Sequence, residues 1–548
     1  MKLHSCSWRA ISLLLIVTII WFGTLDYRKL VKPDEGRYAE IAREMAVTGD
    51  WVTPRLNALK YFEKPPLQYW ATATAYTLFG EHQWTARLWS ALTGFAGLFW
   101  IGFVGIRLFG REAGQYAALL LLGSMLYSMI GHINTLDMGL TFFLTVGISS
   151  LLLGQQVSAA PHTRRNWMWL AWIALGLAVL SKGLIGLVLP GAALVVYAVL
   201  QRDWGLWKRL HLVTGLLLFL LVTVPWFILV MKANPEFFQR FFIYEHYTRF
   251  TTKELGRYEP WYYFIPIVLA GILPWTLLMF DTVLRTWKGS GDGKKFNAAR
   301  FLLIWIAFVY LFFSVSGSKL PSYVLPIFPA LALLMGKQLA EMNTRRIFWL
   351  TAPMIAVALV LFGLAPYMAR LADTPLKQEM HGNYANWIMV AALIWLLGIV
   401  TTLVMLRRDR KSTAIWVLAL SSFLAAQIML CGHNTVARGR SSYHIAEAIR
   451  AYVTPDIPFY SVAGYEQTLP FYLKRTFTLV AYQDEMGFGI KQEPARWIPD
   501  IASFAQVWRD QPAALAIMPQ DIYPQLQQQG LPMKIIFADT QYIVVSKP

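Results

Sequence analysis

Residues able to do chemistry gather in a few short stretches of an otherwise apolar chain. KPDEGRYAEIAREMAVTGDW, from Lys32, carries Asp34, Glu35 and Tyr38. YFEKPPLQYW, from Tyr61, sets Glu63 and Lys64 before tandem Pro65–Pro66. Asp137 opens LDMGLTFF, Lys182 lies in LSKGLIG, and FFIYEHYTRF supplies Glu245, His246 and Arg249. SGSKLPSYVLPIFP supplies Lys319 and Tyr323. Carboxylates suit a sugar or an amine, and lysine and arginine suit phosphate. A site mixing the two would take a charged, phosphate-bearing substrate.

Each stretch also has a plainer reading. The first could be an amphipathic helix lying on the bilayer, with Pro33 in its first turn, Asp34 and Glu35 at its positive end and Gly49 as its stop. The second could be an interfacial aromatic belt, although two consecutive prolines fix a rigid, extended backbone that a positioned ammonium would need. Asp137 could be a helix-end acid, though an ionisable group there is costly unless paired or wet. His246 stands beside Glu245 and Arg249, which sets it apart from a lone interfacial histidine.

The elements that must position these residues are membrane spans. The chain has 548 residues, 56% hydrophobic and 15% charged, where soluble domains approach one quarter charged. Mean hydropathy is +0.45. About thirteen apolar stretches are long enough to cross a bilayer: 9–25, 85–109, 113–131, 135–154, 167–181, 184–200, 210–231, 261–281, 301–316, 321–340, 346–366, 386–406 and 412–431. One set of loops holds Arg107 and Arg111, Arg164 and Arg165, Arg202 with Lys208 and Arg209, Arg345 and Arg346, and RRDRK from Arg407. The intervening loops are mostly bare, loop 232–260 excepted. Positive loops stay inside, so the 26–83 loop, the polar stretches above and the end of the chain face outward. The net charge of +18 reflects this topology control and contact with anionic lipid, and nucleic acid is not expected as a partner.

After Cys431 the pattern changes to short β-rich runs, IPFYSV, FTLVAY, AALAIM and KIIFADTQYIVVSK, separated by helix-like stretches near 442–452, 467–474 and 500–509. The expected architecture is a polytopic α-helical membrane domain over 1–435 and a small outer α/β domain over 436–548. The two cysteines, Cys6 and Cys431, fall on opposite faces, so no disulfide within the chain is expected. The N-terminus reads as an uncleaved first helix.

In this order the motifs PDEGRYAEIAREM, YFEKPPLQYW, TARLWSAL, NTLDMGLTFF, LSKGLIGLVLP, EHYTRF and GSKLPSYVLPIFPALA resemble the bacterial transferases that move 4-amino-4-deoxy-L-arabinose to lipid A. These are GT-C glycosyltransferases related to protein O-mannosyltransferases. The likeness covers most of residues 30–335. It implies an undecaprenyl-phosphate amino-sugar donor, a lipid A phosphate as acceptor, an active site and C-terminal domain in the periplasm beside the bacterial inner membrane, and resistance to polymyxin through added positive charge. By the same resemblance Asp34, Lys64 and Asp137 are catalytic, Lys64, Arg249 and Tyr323 bind the donor phosphate, and Tyr38, Tyr61, Glu35, Lys182 and Lys319 line the cavity. Glu63 and His246 look like a family pair that could hold a divalent metal such as zinc. Two ligands alone make a weak, open site, so no obligatory cofactor is expected.

Three rivals remain. Another polyprenyl-phosphate sugar transferase, such as a protein O-mannosyltransferase, would share the donor and the acidic first loop. A lipid-linked sugar transporter would show repeated halves and polar residues at mid-membrane, and neither is seen. A binding or assembly protein would rely on its outer domain alone.

Overall fold

The computed structural model describes residues 8–156, 159–248, 259–289 and 296–547, with only the backbone for 8–10 and 246–248. The first nine helices are α1 (Trp8–Gly23), α2 (Asp34–Thr48), α3 (Leu67–Phe79), α4 (Gln83–Phe109), α5 (Arg111–Gly123), α6 (Met125–Ile130), α7 (Leu136–Gly154), α8 (Pro161–Lys182) and α9 (Ile185–Gln201). Two compact units form. One comprises Met1–Tyr27, Lys64–Gln68 and Arg87–Thr435; the other comprises Arg28–Glu63, Tyr69–Ala86 and Val436–Pro548.

The first unit is helical. Each of the thirteen apolar stretches falls on helix. Among the described residues seven helices are long and apolar enough to cross a membrane alone, and up to eight do so if a pair bent by 107°, Phe264–Gly271 with Thr276–Lys288, counts as one span. Fewer pass alone than the hydropathy suggested because some stretches are broken or short. Stretch 113–131 divides at Ser124 into α5 and α6, and stretch 184–200 lies on α9, a helix of 17 residues. The expected break between 167–181 and 184–200 falls at Gly183, whose φ of +90° no other residue type adopts cheaply. With no hydrophobic drive between helices inside a bilayer, close packing through small residues holds them together. A Cβ on Gly105 would stand 2.6 Å from the Gly114 Cα, so α4 and α5 touch backbone to backbone. The α7 helix is buried along almost its whole length and carries Asp137 at its outer start.

The second unit is built on a six-stranded sheet of order β5-β4-β3-β6-β8-β7, where β3 is Phe459–Val462, β4 Thr478–Val480, β5 Trp497–Ile498, β6 Leu515–Pro519, β7 Lys534–Ala538 and β8 Tyr542–Ser546. Strands β5, β4, β3 and β6 are parallel, and β7 and β8 close one edge antiparallel. All four residues of β3 are buried, as expected of a strand covered on both faces. Tyr460, Val462, Val480, Phe504, Trp508 and Met518 share one core cluster of this sheet.

Most of the first loop, Arg28–Glu63 with Tyr69–Ala86, belongs to this same unit. Strands β1 (Arg55–Leu56) and β2 (Leu59–Lys60) form a hairpin whose turn residues Asn57 and Ala58 have φ of 54° and 60°. Positive φ at both positions matches the twist of the flanking strands. Asn57 then exchanges two hydrogen bonds with the backbone of Phe477, at 2.8 and 2.7 Å. Arg55 donates to Glu493 at 2.8 Å. The α2 helix runs from Asp34 to Thr48 and stops at Gly49, as its sequence signals required. It is not a bilayer-surface helix, because every residue from Glu35 to Met45 is buried. A Cβ on Gly36 would lie 2.6 Å from the Gln467 carbonyl oxygen, so glycine permits this approach. The buried charges are matched locally: Arg43 donates to both oxygens of Glu40 at 2.7 and 2.6 Å. Glu44 accepts from the Ala58 amide at 2.7 Å, while burial, then Glu40, pushes its carboxyl up to about 8.

Candidate active site

In the second unit an arginine lies between two carboxylates. Arg37, 7% exposed, donates through Nη1 to Asp34 Oδ1 at 3.2 Å and pairs through Nη2 with Glu485 Oε2 at 2.6 Å. Asp34 and Arg37 face each other because they sit three residues apart on one helix. Glu485 arrives from the segment after β4. Arg37 Nε is buried without a hydrogen-bond partner among the described residues. Tyrosines surround the group. Tyr61 and Tyr69 are 3% and 0% exposed, and neither hydroxyl finds a partner among the described residues. The Tyr38 and Tyr69 rings lie 6.1 Å apart. Burial pushes the Glu485 carboxyl up to about 7; Arg37 opposes this, while Glu63, Asp484 and Asp34 add to it. The result is an anion-rich, tyrosine-walled group with spare hydrogen-bonding capacity, suited to a hydroxylated cation.

In the first unit a second cluster forms around Asp137. The carboxylate, 7% exposed, accepts from Lys182 Nζ and from Ser322 Oγ, the latter at 2.9 Å. Lys182 Nζ also sits 4.3 Å from the centre of the Tyr323 ring. Three separate helix ends meet here: the start of α7, the end of α8 and the short turn Pro321–Val324. Lys64 heads the Lys64–Gln68 segment of this unit and is half-buried. Its backbone is held by buried Pro65 and Pro66 and by Gln68, which donates to Asn134 at 2.9 Å.

Other expected residues have partners outside these two clusters or lie beyond the described residues. Glu35 was expected to line the cavity. Its carboxylate instead turns back to the Val31 amide at 3.0 Å and to Arg28 at 3.5 Å, as an acid at a helix start does. Lys319 was given the same role, but its ammonium caps the backbone carbonyls of Glu259 and Ser316 at 2.7 and 2.8 Å. Glu245 pairs with Arg240 at 3.0 Å. Arg249 lies outside the described residues, as does the side chain of His246. Among the described residues no group of three or more His, Cys, Asp or Glu side chains could hold a metal ion. The Glu63–His246 metal pair therefore rests on resemblance, and no step below passes through it.

Sequence reasoning overlooked Arg37, Glu485, Tyr69 and Ser322. Arg37 was legible in principle, one turn from Asp34. Glu485 carried no local signal.

Comparison with known proteins settles the family. Residues 445–547 match the aminoarabinose transferase C-terminal domain, and residues 6–239 match the dolichyl-phosphate-mannose-protein mannosyltransferase family. The undecaprenyl phosphate-α-4-amino-4-deoxy-L-arabinose arabinosyl transferase of Aeromonas salmonicida is 33% identical over 70% of this chain and 71% of that protein. The crystal structure of ArnT from Cupriavidus metallidurans bound to undecaprenyl phosphate is 40% identical, with a TM-score of 0.94 over 99% of both chains. The chain belongs to the aminoarabinose transferase family. The Shewanella sediminis transferase extends the match to 88% of both chains at 28% identity. An archaeal oligosaccharyltransferase from Archaeoglobus fulgidus, at 11% identity and a TM-score of 0.51, shares the fold alone. The aminoarabinose transferases are multi-pass membrane glycosyltransferases of the GT-C type.

Proposed function

We propose that this aminoarabinose transferase moves 4-amino-4-deoxy-L-arabinose from undecaprenyl phosphate to a phosphate of lipid A, on the outer face of a bacterial inner membrane. The observation that carries this reading is the likeness, over 99% of both chains, to the transferase crystallised with undecaprenyl phosphate. The roles divide by charge. When the anomeric C–O bond of the donor breaks, negative charge develops on the departing lipid phosphate, and Lys64, with Arg249 and Tyr323, supplies stabilisation there. A lipid A phosphate oxygen forms the new bond from the opposite face, with inversion. That oxygen is already anionic near neutral pH, so it needs little help from a general base. The carboxylates Asp34 and Glu485 supply negative charge for the sugar ammonium and for positive charge building at the ring. The added ammonium on lipid A weakens attraction of cationic peptides such as polymyxin.

Lipid A mass spectra from cells with and without the chain test the reaction. A gain of an aminopentose on lipid A supports it; transfer of sugar to peptide acceptors in its place would favour the protein O-mannosyl relative. In purified enzyme with natural donor, Asp34→Asn is expected to lose most turnover, and near-normal turnover would exclude an essential charge at Asp34.

Glu485 adds a pH dependence. Its carboxyl, raised to about 7, is neutral below that pH and anionic above it. Only the anion attracts an ammonium, so KM for the donor is expected to fall as pH rises from 6 to 8. The same shift means that the folded unit holds this proton more tightly than the unfolded chain does. Its stability contribution therefore declines as pH rises from the usual carboxylate range to about 7. Glu485→Gln is expected to flatten the KM profile; an unchanged profile would remove Glu485 from donor binding.

A further inference from the structure

Two helix C-termini meet at one buried imidazole. His132 follows α6 by two residues and is 2% exposed. Its Nδ1 lies 2.7 Å from the Ser128 carbonyl oxygen, and its Nε2 lies 2.8 Å from the Trp21 carbonyl oxygen. Both oxygens belong to the last turn of their helix, α6 and α1 respectively. Carbonyls there lack intrahelical partners and carry the negative end of the helix dipole. A carbonyl oxygen can only accept, and a neutral imidazole has a single N–H. One of the two contacts would then set lone pair against lone pair. The imidazolium satisfies both. The Gln427 amide nitrogen also approaches Nδ1, but at 3.4 Å, so the nearer carbonyl decides the proton there. The Trp21 ring, its centroid 4.6 Å from the imidazole's, adds a further surface favourable to a cation.

Two charged groups on the adjoining elements have partners of their own. Arg87 donates to the Leu25 carbonyl at 2.7 Å and is of like sign, which works against the charge. Asp137, five residues on, is matched by Lys182. The two helix ends favour a proton on each ring nitrogen.

The capped ring fixes the loop that follows it. His132 and Ile133 amides donate to Met129 and Ile130 at 3.0 and 3.2 Å. Asn134, fully buried, accepts from Gln68, which closes the Lys64–Gln68 segment. We propose that His132 is an imidazolium at neutral pH and is the positioning residue for Lys64, acting through Asn134 and Gln68. The second half of this rests on the role given to Lys64 above. Loss of the proton releases one helix cap, loosens the loop and lets the Lys64 ammonium wander.

The first test needs no substrate. Nitrogen-15 histidine spectra of the full-length enzyme in nanodiscs report the protonation of each ring. The His132 signals are assigned by their loss in His132→Gln or, should that variant not fold, by elimination with variants of the other eight of the nine histidines. Both ring nitrogens protonated at pH 7 is the expected result; one bare nitrogen at pH 7 overturns the proposal. The second test reads turnover at saturating donor against pH. The wild type is expected to lose turnover on the alkaline side with the midpoint seen in the spectra. His132→Gln is expected to be about tenfold slower at pH 7 and flat across that limb. A His132→Gln enzyme with wild-type turnover and an intact alkaline limb overturns the positioning role. Because the spectra are blind to transfer, an enzyme that moves a different sugar would leave the first test standing.

Discussion

Lys64→Ala is expected to lower turnover by about 10²–10³-fold, the loss seen when one preorganised donor to developing charge is removed. Lys64 is half-buried, and the backbone around it has little freedom. Pro65 and Pro66 restrict the chain immediately after it, and Gln68 is tied to buried Asn134. A lysine held in this way meets the leaving phosphate without paying to reorganise at the moment of reaction. Lys208→Ala, on an inner loop, removes the same net charge and is expected to change turnover little. Steady-state transfer rates of both variants, measured with natural donor, check this. Equal, small effects would take Lys64 out of the site.

Asp137→Asn is expected to lose stability as well as activity. The carboxylate is buried and matches Lys182, while its second oxygen holds Ser322. Removing one partner of a buried pair strands the other, at about 3 kcal/mol or more. Thermal unfolding in detergent should show a clear drop in midpoint. Turnover should fall about 100-fold, because the Lys182 ammonium and the Tyr323 ring beside it lose their anchor. The double variant Asp137→Asn with Lys182→Met separates the two effects. It no longer leaves a charge unmatched, so most of the stability should return while activity stays low. Return of both would show that the pair is structural only.

The α2 helix shows how far local reading reaches. Its start near Pro33 and its stop at Gly49 follow from backbone chemistry that any sequence displays. Its surroundings do not. The alternation of charge and apolar residues fitted a helix lying on lipid, yet Glu35 to Met45 are all buried in protein. An amphipathic pattern records that a helix has two kinds of neighbour. It does not record whether the polar ones are water, headgroups or other side chains. Glu40 and Arg43 supply that polar environment from within the same helix.

The sequence by itself determined a bundle of apolar helices followed by a β-rich domain, because apolar length and strand periodicity are properties of consecutive residues. It also marked Asp34, Lys64 and Asp137, since charge beside an apolar run is costly wherever the chain later goes. Only the tertiary structure decided which groups answer those charges. Glu485 reaches Arg37 across more than four hundred residues, and Ser322 reaches Asp137 from a distant turn. It also gave Glu35 the Val31 amide and the Arg28 side chain as partners, and Lys319 two backbone carbonyls. Hydrogen bonds and ion pairs act over a few ångströms of space, and a linear sequence does not encode those distances until helices and strands have packed.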